Sequence, residues 1–393
     1  MGPGCIRTTL LTPVGRGALA VVGVAGPGAV QLVSPLFSPR GAGPLLDRPD
    51  GAVVFGLWRS CLDGPGEDLV VVRRNADALE IHCHGGLAAA EAVITSLERL
   101  GVVRQTWPVW LRAGDMTETE WEAREALAGI GGRKAAAIVA RQLAGEMQRE
   151  CDRIERLLAT GALADAGAAL DRLIRAARVG LRLTRPWRVV LAGRVNAGKS
   201  SLVNALAGYT RSIVSPEPGT TRDLLETRVV LDGWEVDLVD TAGVREDGVS
   251  ESEVTGIERA GIARAVSACT TADLVIRVID GRQLKDGRVK QLAPNELLVF
   301  SKTDQVEERG PESRTDAIWT SAVTGAGIAE LATEIVRRLV PEETEDPGLL
   351  TGAVPFTDRQ VALVKDLRQT VENATRASAA LYSSFASVVR PRT

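Results

Sequence analysis

The stretch GRVNAGKSS, residues Gly193–Ser201, has the residue types and spacing of a loop that binds phosphate groups. Four variable residues separate Gly193 from Gly198-Lys199-Ser200, between an apolar β-branched run and a helix-like run. Glycines let backbone N–H groups turn toward phosphate oxygens, and the start of a helix adds a positive end. We expect Lys199 to reach the β- and γ-phosphates and Ser200 to join a Mg²⁺ shell. The loop residues predicted to contact the nucleotide are Asn196, Ala197, Gly198, Lys199, Ser200 and Ser201.

Two downstream motifs add groups suited to the metal and to the γ-phosphate. Asp240 begins DTAG directly after an apolar run, and its carboxylate is expected in the second shell of Mg²⁺. GTTRD offers threonine hydroxyls, of which Thr221 is predicted to bind Mg²⁺ beside Ser200. The nucleotide contacts predicted from these motifs are Thr220, Thr221, Asp240, Thr241, Ala242 and Gly243.

The stretch SKTD, residues 301–304, predicts which base is bound. The Asp304 carboxylate can accept two hydrogen bonds, from N1–H and the exocyclic amine of guanine, which adenine does not offer. Lys302 can cover the base with its methylene stem, and Ser321 and Ala322 can contribute backbone contacts near guanine O6. Ser301 stands where this motif usually has asparagine, so we expect it to lose a bond to the base and a tie to the phosphate loop. The combination predicts GTP and GDP as ligands.

One catalytic group of the common GTPase pattern is missing. In Ras-like GTPases a water-positioning glutamine follows DTAG, whereas this chain has Val244. A valine side chain cannot orient water, so hydrolysis requires another catalytic group or ion.

Changes in composition divide the chain into four predicted segments that must position these groups. Residues 1–115 carry short β-branched runs and predict an α+β domain. Residues 116–184 are rich in Ala, Leu, Arg and Glu and predict helices, whereas residues 185–341 alternate β and α runs, typical of a mostly parallel sheet. Residues 342–393 begin with a predicted linker, 342–355, before a last helix near Thr357.

Local signals place two helices more closely. The run LAAAEAVITSLERLG, residues 87–101, predicts a helix that ends on a glycine. Thr117 is a predicted N-cap, because Glu120 follows three residues later as in a capping box.

Composition limits the function classes. The chain has 393 residues, which allows two or three domains, and a net charge of −3 that gives no general field for nucleic acid. Its 5 cysteines lack CxxC spacing, which favours reduced thiols and a cytoplasmic location. The early apolar run ALAVVGVAG is too short to span a bilayer, so we expect no membrane association.

These motifs together resemble the MnmE (TrmE) family of tRNA-modifying GTPases. The similar stretches are TPVGRGALAVVGVAG, ALEIHCHGG and, in order, GRVNAGKSSLVNAL, GTTRD, DTAG, GIARA, SKTD and SAVTGAG. The resemblance implies a multidomain fold: an N-terminal α+β domain that binds a folate-type one-carbon donor and forms a homodimer, and a central helical domain with an inserted Ras-like α/β P-loop GTPase domain. It implies the flavoprotein MnmG and tRNA as partners.

The resemblance also implies how hydrolysis is achieved. The family uses a potassium ion held by the loop asparagine, here Asn196, and brings its G domains together to order the switch loops. The rest of the predicted potassium shell is Ser215, Glu217 and Thr220. The family's water-orienting glutamate corresponds to Glu258 in IERAGIARA, while SEVTGIERA would select Glu253. Glu258 is preferred because counting from it to ADLV, residues 272–275, needs no gap relative to the family pattern. The predicted catalytic residues are therefore Glu258, Asn196 and Lys199.

Three departures from the family bear on the modification chemistry. The family's arginine for the folate donor corresponds to Gly23, and its lysine has no counterpart in MTETEWEAREALAG, which leaves Glu80 from that pocket. The Cys-Ile/Val-Gly-Lys tail has no counterpart in LYSSFASVVRPRT, which predicts a truncated second helical half.

Three functions therefore compete. The first is an MnmE-like GTPase linked to tRNA wobble-uridine modification. The second is a diverged GTPase switch in ribosome or RNA metabolism without that chemistry. The third, a GTP-binding scaffold that does not hydrolyse, is disfavoured by Asn196, Lys199, Thr221 and Glu258.

Overall fold

The computed structural model describes residues 5–15, 17–41, 43–60, 66–112, 116–209, 225–241, 266–286, 292–306 and 317–374. The chain divides into two compact units, Met1–Met116 and Thr117–Thr393. Within the described ranges no helix has the length and apolar character needed to cross a membrane.

The first unit is a seven-stranded, mostly antiparallel sheet with three helices. Its strands are β1 (Arg7–Leu10), β2 (Leu19–Ala25), β3 (Phe37–Pro39), β4 (Val53–Trp58), β5 (Glu67–Asn75), β6 (Ala78–His84) and β7 (Val103–Arg104). Its helices are α1 (Ala29–Val33), α2 (Leu87–Glu98) and α3 (Trp107–Arg112). The sheet order is β3-β4-β5-β6-β2-β1-β7, and every pair except β1–β7 is antiparallel.

Alternating side chains explain why this sheet has one buried face. In β4, Val54 and Trp58 are buried, whereas Val53 and Phe55 are 70% and 51% exposed. The apolar runs predicted as strands at LAVVGVA and ALEIHCH form β2 and β6. The predicted helix at 87–101 forms as α2, and its chain reverses at Gly101, whose φ of +86° suits glycine.

The second unit combines helices with a six-stranded sheet. Its helices are α4 (Glu118–Gly129), α5 (Arg133–Leu143), α6 (Glu146–Ala159), α7 (Leu163–Gly180), α8 (Lys199–Tyr209), α9 (Ile328–Leu339), α10 (Glu342–Glu345) and α11 (Asp358–Asn373). Its strands are β8 (Trp187–Ala192), β9 (Leu225–Leu231), β10 (Trp234–Asp240), β11 (Leu274–Asp280), β12 (Glu296–Ser301) and β13 (Ile318–Trp319).

Capping chemistry sets the helix boundaries in this unit. Thr117 and Glu120 form the predicted capping box: the Thr117 hydroxyl accepts from the Glu120 N–H at 3.2 Å, and the Glu120 carboxylate accepts from the Thr117 N–H at 2.9 Å. The helical run 133–161 divides at Gly145, whose φ of +94° ends α5 before α6 begins. The sequence predicts that the last helix begins near Thr357. Thr357 is the N-cap of α11, and its side chain accepts a hydrogen bond from the Gln360 N–H.

The sheet of the second unit is parallel except for β9. Its order is β13-β12-β11-β8-β10-β9, with β9 antiparallel to β10. Strand β8 lies between β11 and β10, so successive connections leave in opposite directions on its two sides. Such a switch point leaves a crevice at the carboxyl ends of the strands, where ligands bind in sheets of this type.

Residues 342–355 are not the linker that their composition predicts. They contain α10, and Leu349, Leu350 and Val354 are buried in the core shared by sheet and helices. Glu343 accepts hydrogen bonds from Lys134 Nζ at 2.8 Å and from Trp234 Nε1 at 3.2 Å. The linker prediction is wrong because it is based on the acidic and glycine-rich composition of the segment. A few buried leucines and one ion pair hold the segment in place, and composition alone does not reveal them.

Candidate nucleotide-binding site

The phosphate loop joins β8 to α8 at the switch point of the sheet. Gly193 directly follows β8 and packs closely against β11. A Cβ atom at this position would lie 2.2 Å from the Val278 carbonyl oxygen. Gly198 has a φ of +90°, which glycine adopts without the cost that other residues have. These two glycines are therefore required by the path of the loop, and α8 begins directly after them.

Lys199 folds back over the mouth of the loop. Its side chain is 5% exposed, and Nζ donates to the carbonyl oxygens of Gly193 at 2.9 Å and Arg194 at 3.0 Å. This places an ammonium group beside the backbone that the motif assigns to phosphate binding. Phosphate oxygens can compete with these carbonyls for the same three donors.

Ser200 and Asp240 meet at the carboxyl end of β10. The Ser200 hydroxyl donates to Asp240 Oδ2, while the Thr241 hydroxyl donates to the Leu191 carbonyl at 2.7 Å and fixes the turn. Among the described residues Asp240 Oδ1 has no hydrogen-bond partner, although Asp240 is 7% exposed. A buried carboxylate oxygen with spare acceptor capacity beside a hydroxyl fits a hard cation such as Mg²⁺.

Asp304 and Ser321 meet at the ends of β12 and β13. The Ser321 hydroxyl donates to Asp304 Oδ1 at 2.5 Å and itself accepts from the Thr324 N–H at 3.2 Å. This hydrogen bond lowers the pKa of the Asp304 carboxyl, and the nearby Arg282 charge lowers it further. Asp304 is exposed and ionised at neutral pH, so it can accept hydrogen bonds from a ligand.

Ser301 keeps the connection to the phosphate loop that its short side chain was expected to lose. It is 5% exposed, and its hydroxyl donates to the Ala197 carbonyl at 2.6 Å. The prediction of a lost tie is wrong, because β12 ends close enough to the loop for a serine to reach it. The expected loss of a contact to the base stays a prediction.

Lys302 lies across the loop next to Asn196. Both residues have left-handed backbones, with φ of 57° for Lys302 and 63° for Asn196. Lys302 Nζ donates to the Asn196 carbonyl at 2.6 Å and to Asp280 Oδ2 at 2.9 Å. Asn196 is exposed, which leaves it accessible to a ligand.

Asp280 also contributes to this site, although none of the motifs quoted from the sequence contains it. It lies at the end of β11 and is 3% exposed. Hydrogen bonds from Arg282, which have the larger effect, and from Lys302 hold the pKa of its carboxyl well below the ordinary range. The sequence contained a usable signal: DLVIRVID ends a buried strand on a carboxylate, as EVDLVD does at Asp240.

Several predicted residues lie outside the described residues and stay predictions. They are Ser215, Glu217, Thr220, Thr221, Ala242, Gly243, Val244, Glu253 and Glu258.

The second predicted site, around Glu80 in the first unit, is occupied by its own side chains. Arg74 donates from Nε and Nη2 to the two Glu80 oxygens, each at 2.8 Å, and His82 Nε2 lies 3.1 Å from Oε2. The Arg74 bonds lower the pKa of the Glu80 carboxyl, with a smaller contribution from His82. Gly23, directly across from Glu80 on β2, is covered: a Cβ atom there would lie 2.9 Å from Trp110.

These residues do not fit the folate-type donor that the resemblance implies. The carboxylate is already paired, and the position of the family's arginine has no room for a side chain. A cavity of about 260 Å³ elsewhere in the unit is lined by the two N-terminal motifs, including Thr12, Pro13, Gly85 and Gly86, and its described lining contains no charged residue.

The nucleotide site defines the chain as a P-loop GTP hydrolase with a Ras-like α/β domain. Residues 188–305 match the family model described as 50S ribosome-binding GTPase. The chain is 32% identical to the tRNA modification GTPase MnmE of Nitratidesulfovibrio vulgaris, over 83% of this chain and 79% of that protein. The MnmE proteins of Nitrosomonas eutropha and Thermus thermophilus are each 30% identical over 93% of this chain, and the matches cover 87% and 88% of them. The chain therefore belongs to the tRNA modification GTPase MnmE family, which confirms the resemblance.

Proposed function

We propose that this chain hydrolyses GTP with the help of a potassium ion, as a homodimer, in the modification of the wobble uridine of tRNA. The observation that supports the GTP part most directly is the Asp304–Ser321 pair at the open ends of β12 and β13. An ionised carboxylate held there can accept from both guanine N–H groups, and adenine has no matching donors at those positions.

The phosphate half of the site has groups for binding and orienting the triphosphate. Lys199 exchanges loop carbonyls for phosphate oxygens, and Ser200 with Asp240 would hold Mg²⁺. When bound, the metal neutralises charge on the β- and γ-oxygens. Thr221 is proposed as a further magnesium ligand, and Thr241 fixes the strand end that presents Asp240.

Potassium is proposed to replace the charge that an arginine finger supplies elsewhere. Asn196 stands at the loop position for a cation ligand, its side chain is exposed, and its backbone is fixed by Lys302. Ser215, Glu217 and Thr220 would complete the shell. When bound, the ion places positive charge near the transferring phosphoryl group, an effect typically about a hundredfold in rate. Glu258 is proposed to orient the attacking water in the absence of glutamine.

The potassium mechanism is tested by steady-state GTP turnover in potassium and in sodium chloride at matched ionic strength. We expect turnover roughly a hundredfold faster in potassium. Asn196→Ala should lower the potassium rate and remove most of the difference between the ions. Equal turnover of the unmodified protein in the two salts contradicts the mechanism.

The first unit is proposed to hold the dimer. Its sheet has an open face on which Val53 is 70% and Phe55 51% exposed, beside the partly buried Val70 in the neighbouring strand. Apolar residues in register across adjacent strands favour burial against a second copy, the arrangement that the family resemblance implies. Light scattering at micromolar concentration should give the mass of a dimer, and Phe55→Asp should give a monomer.

A diverged GTPase of ribosome or RNA metabolism is the second candidate. The paired Glu80 and the covered Gly23 favour it, because they remove the folate-type donor from the modification chemistry. The matched family model is also described by ribosome binding.

Modified nucleosides distinguish the two candidates. The chain is expressed in a bacterial strain that lacks its own MnmE but retains MnmG, and tRNA wobble uridines are analysed by mass spectrometry. Restored modification, absent with Lys199→Ala at equal expression, supports the first function. Unmodified uridine despite full GTPase activity in the extract supports the second.

A further inference from the structure

Lys302 connects the two halves of the nucleotide site. Its ammonium group donates to the backbone of Asn196 in the phosphate loop, while its stem is the group expected to cover the base. The same ammonium donates to Asp280 Oδ2 at 2.9 Å. A flexible lysine side chain is thus fixed at both the loop and the end of β11.

Asp280 is itself held from the other side. Arg282 donates from Nε to Oδ1 at 3.0 Å and from Nη2 to Oδ2 at 2.6 Å, and the Arg282 backbone N–H donates to Oδ1 at 3.1 Å. The Asp280 side chain is 3% exposed, whereas that of Arg282 is 49% exposed. Because both oxygens of this buried carboxylate are paired, its orientation is fixed. The fixed carboxylate in turn holds the Lys302 ammonium group in place.

The backbone conformations at the contact need such support. Asn196 and Lys302 are two of three non-glycine residues with positive φ among the described residues, and one hydrogen bond joins them. Unfavourable conformations of this kind persist only where the surroundings determine them. The bond from Lys302 to the Asn196 carbonyl is a direct constraint of that type.

We propose that Asp280, fixed by Arg282, is a positioning residue that directs Lys302 onto Asn196 and so prepares both the base site and the cation ligand for binding. The proposal rests on the proposed GTP and potassium site. Asp280 acts through Lys302 and need not touch the nucleotide. Guanine-nucleotide affinity and potassium affinity should therefore both depend on a carboxylate on β11.

The test compares Asp280→Asn with Glu296→Gln. Glu296 accepts from Arg277 Nε at 2.9 Å between the same two strands, β11 and β12, so its loss is a matched control far along the strands. The measurements are GDP affinity by calorimetry with Mg²⁺, and the potassium concentration that gives half-maximal GTP turnover. Each is made on the full chain, with the melting temperature recorded.

We expect Asp280→Asn to weaken GDP binding roughly tenfold and to raise the half-saturating potassium concentration severalfold, because Lys302 loses its carboxylate partner and faces a neutral amide. Turnover at saturating GTP and potassium should fall by a smaller factor than GDP affinity, since saturating ligand restores much of the positioning. Arg282→Gln, on an exposed side chain, should shift both quantities in the same direction by about threefold. Glu296→Gln should shift neither.

Unchanged GDP affinity and potassium dependence in a folded Asp280→Asn protein overturn the proposal. Equal shifts in Glu296→Gln also overturn it, because the effect would then be general loss of stability. If Asp280→Asn does not fold, Arg282→Gln decides by the same two quantities. The unmodified protein reports separately on the proposed function: no potassium dependence there contradicts the potassium mechanism, while the GDP affinity ratio still tests Asp280.

Discussion

The nucleotide site and the Glu80 region use similar residue types with opposite results. At the ends of β10 and β12, Asp240 and Asp304 each accept a hydrogen bond from a serine hydroxyl, while Asp240 Oδ1 has no partner among the described residues and Asp304 is exposed. At β6, the Glu80 oxygens are both taken by Arg74 within the same unit. A motif therefore defines a binding site only where its neighbours leave the functional atoms available.

The two regions also differ in how they tolerate a departure from the family. Ser301 replaces a longer side chain, and its hydroxyl still reaches Ala197 across the loop. Gly23 replaces an arginine, and Trp110 covers the space, with Arg7 stacked on that ring at 5.0 Å. At the first position a hydrogen bond keeps the contact with the loop, whereas at the second the Trp110 ring occupies the space beside the glycine.

Changing Asp304 should have the largest effect on the nucleotide site. Asp304→Asn replaces an acceptor pair with one acceptor and one donor, so two hydrogen bonds from guanine become one bond and one repulsion. We expect GTP affinity to fall roughly a hundredfold and xanthosine triphosphate to bind better than GTP. Competition binding with both nucleotides measures this. An Asp304→Asn protein that still prefers GTP would show that another group selects the base.

Restoring the family's arginine at position 23 tests the packing of the Glu80 region. Gly23→Arg forces a side chain against Trp110, and we expect a loss of about 2 kcal/mol in unfolding free energy rather than a folate site. Urea denaturation of the variant, alone and combined with Trp110→Ala, measures the clash. The cost of Gly23→Arg should largely vanish in the Trp110→Ala background, and an equal cost in both backgrounds contradicts the packing account.

Removing the Ser301 hydroxyl tests whether the retained contact matters. Ser301→Ala leaves the Ala197 carbonyl without its donor near the nucleotide. We expect GDP to bind about fivefold more weakly, in line with about 1 kcal/mol for one neutral hydrogen bond. Calorimetry at constant Mg²⁺ measures it, and Ser301→Thr, which keeps the hydroxyl, is the control. Unchanged affinity in Ser301→Ala shows that the contact is incidental.

The Arg74–Glu80 pair should give the smallest effect, and one that depends on pH. Arg74 lowers the pKa of Glu80 in the folded chain, so the pair contributes stability above the unfolded carboxyl pKa, and this is lost as pH falls through the folded value. Because Arg74 is 56% exposed, we expect Arg74→Ala to cost less than about 1 kcal/mol at pH 7 and nothing once Glu80 is protonated in both states. Unfolding midpoints across acidic pH measure this, and a cost independent of pH contradicts the ion-pair origin.

The sequence predicts the local parts of this molecule well. Strands β2, β6 and β12 coincide with their apolar runs, and Thr117 forms its capping box, because these features depend on residues close in the chain. The phosphate loop is equally local: its two glycines and Lys199 occupy the turn between a strand and a helix.

Contacts between distant segments could not be predicted. Asp280 joins the site only because β11 pairs with β12 and brings Lys302 beside it. Leu349 and Leu350 are buried against residues that are distant in the sequence. The acidic, glycine-rich composition of their own segment therefore does not predict their burial. Glu80 matched a family motif, but its partner Arg74 lies across the turn between β5 and β6, and pairing depends on the register there.

The nucleotide site is expected to bind its ligand, whereas the Glu80 region is not. Isothermal titration of the full chain measures this directly, with GDP in the presence of Mg²⁺ and then with a one-carbon-substituted tetrahydrofolate. We expect saturable binding of GDP, abolished by Lys199→Ala, and no binding heat for the folate up to millimolar concentration. Saturable folate binding with GDP affinity intact would contradict the closed state of the Glu80 region, and failure to bind GDP would contradict the nucleotide site itself.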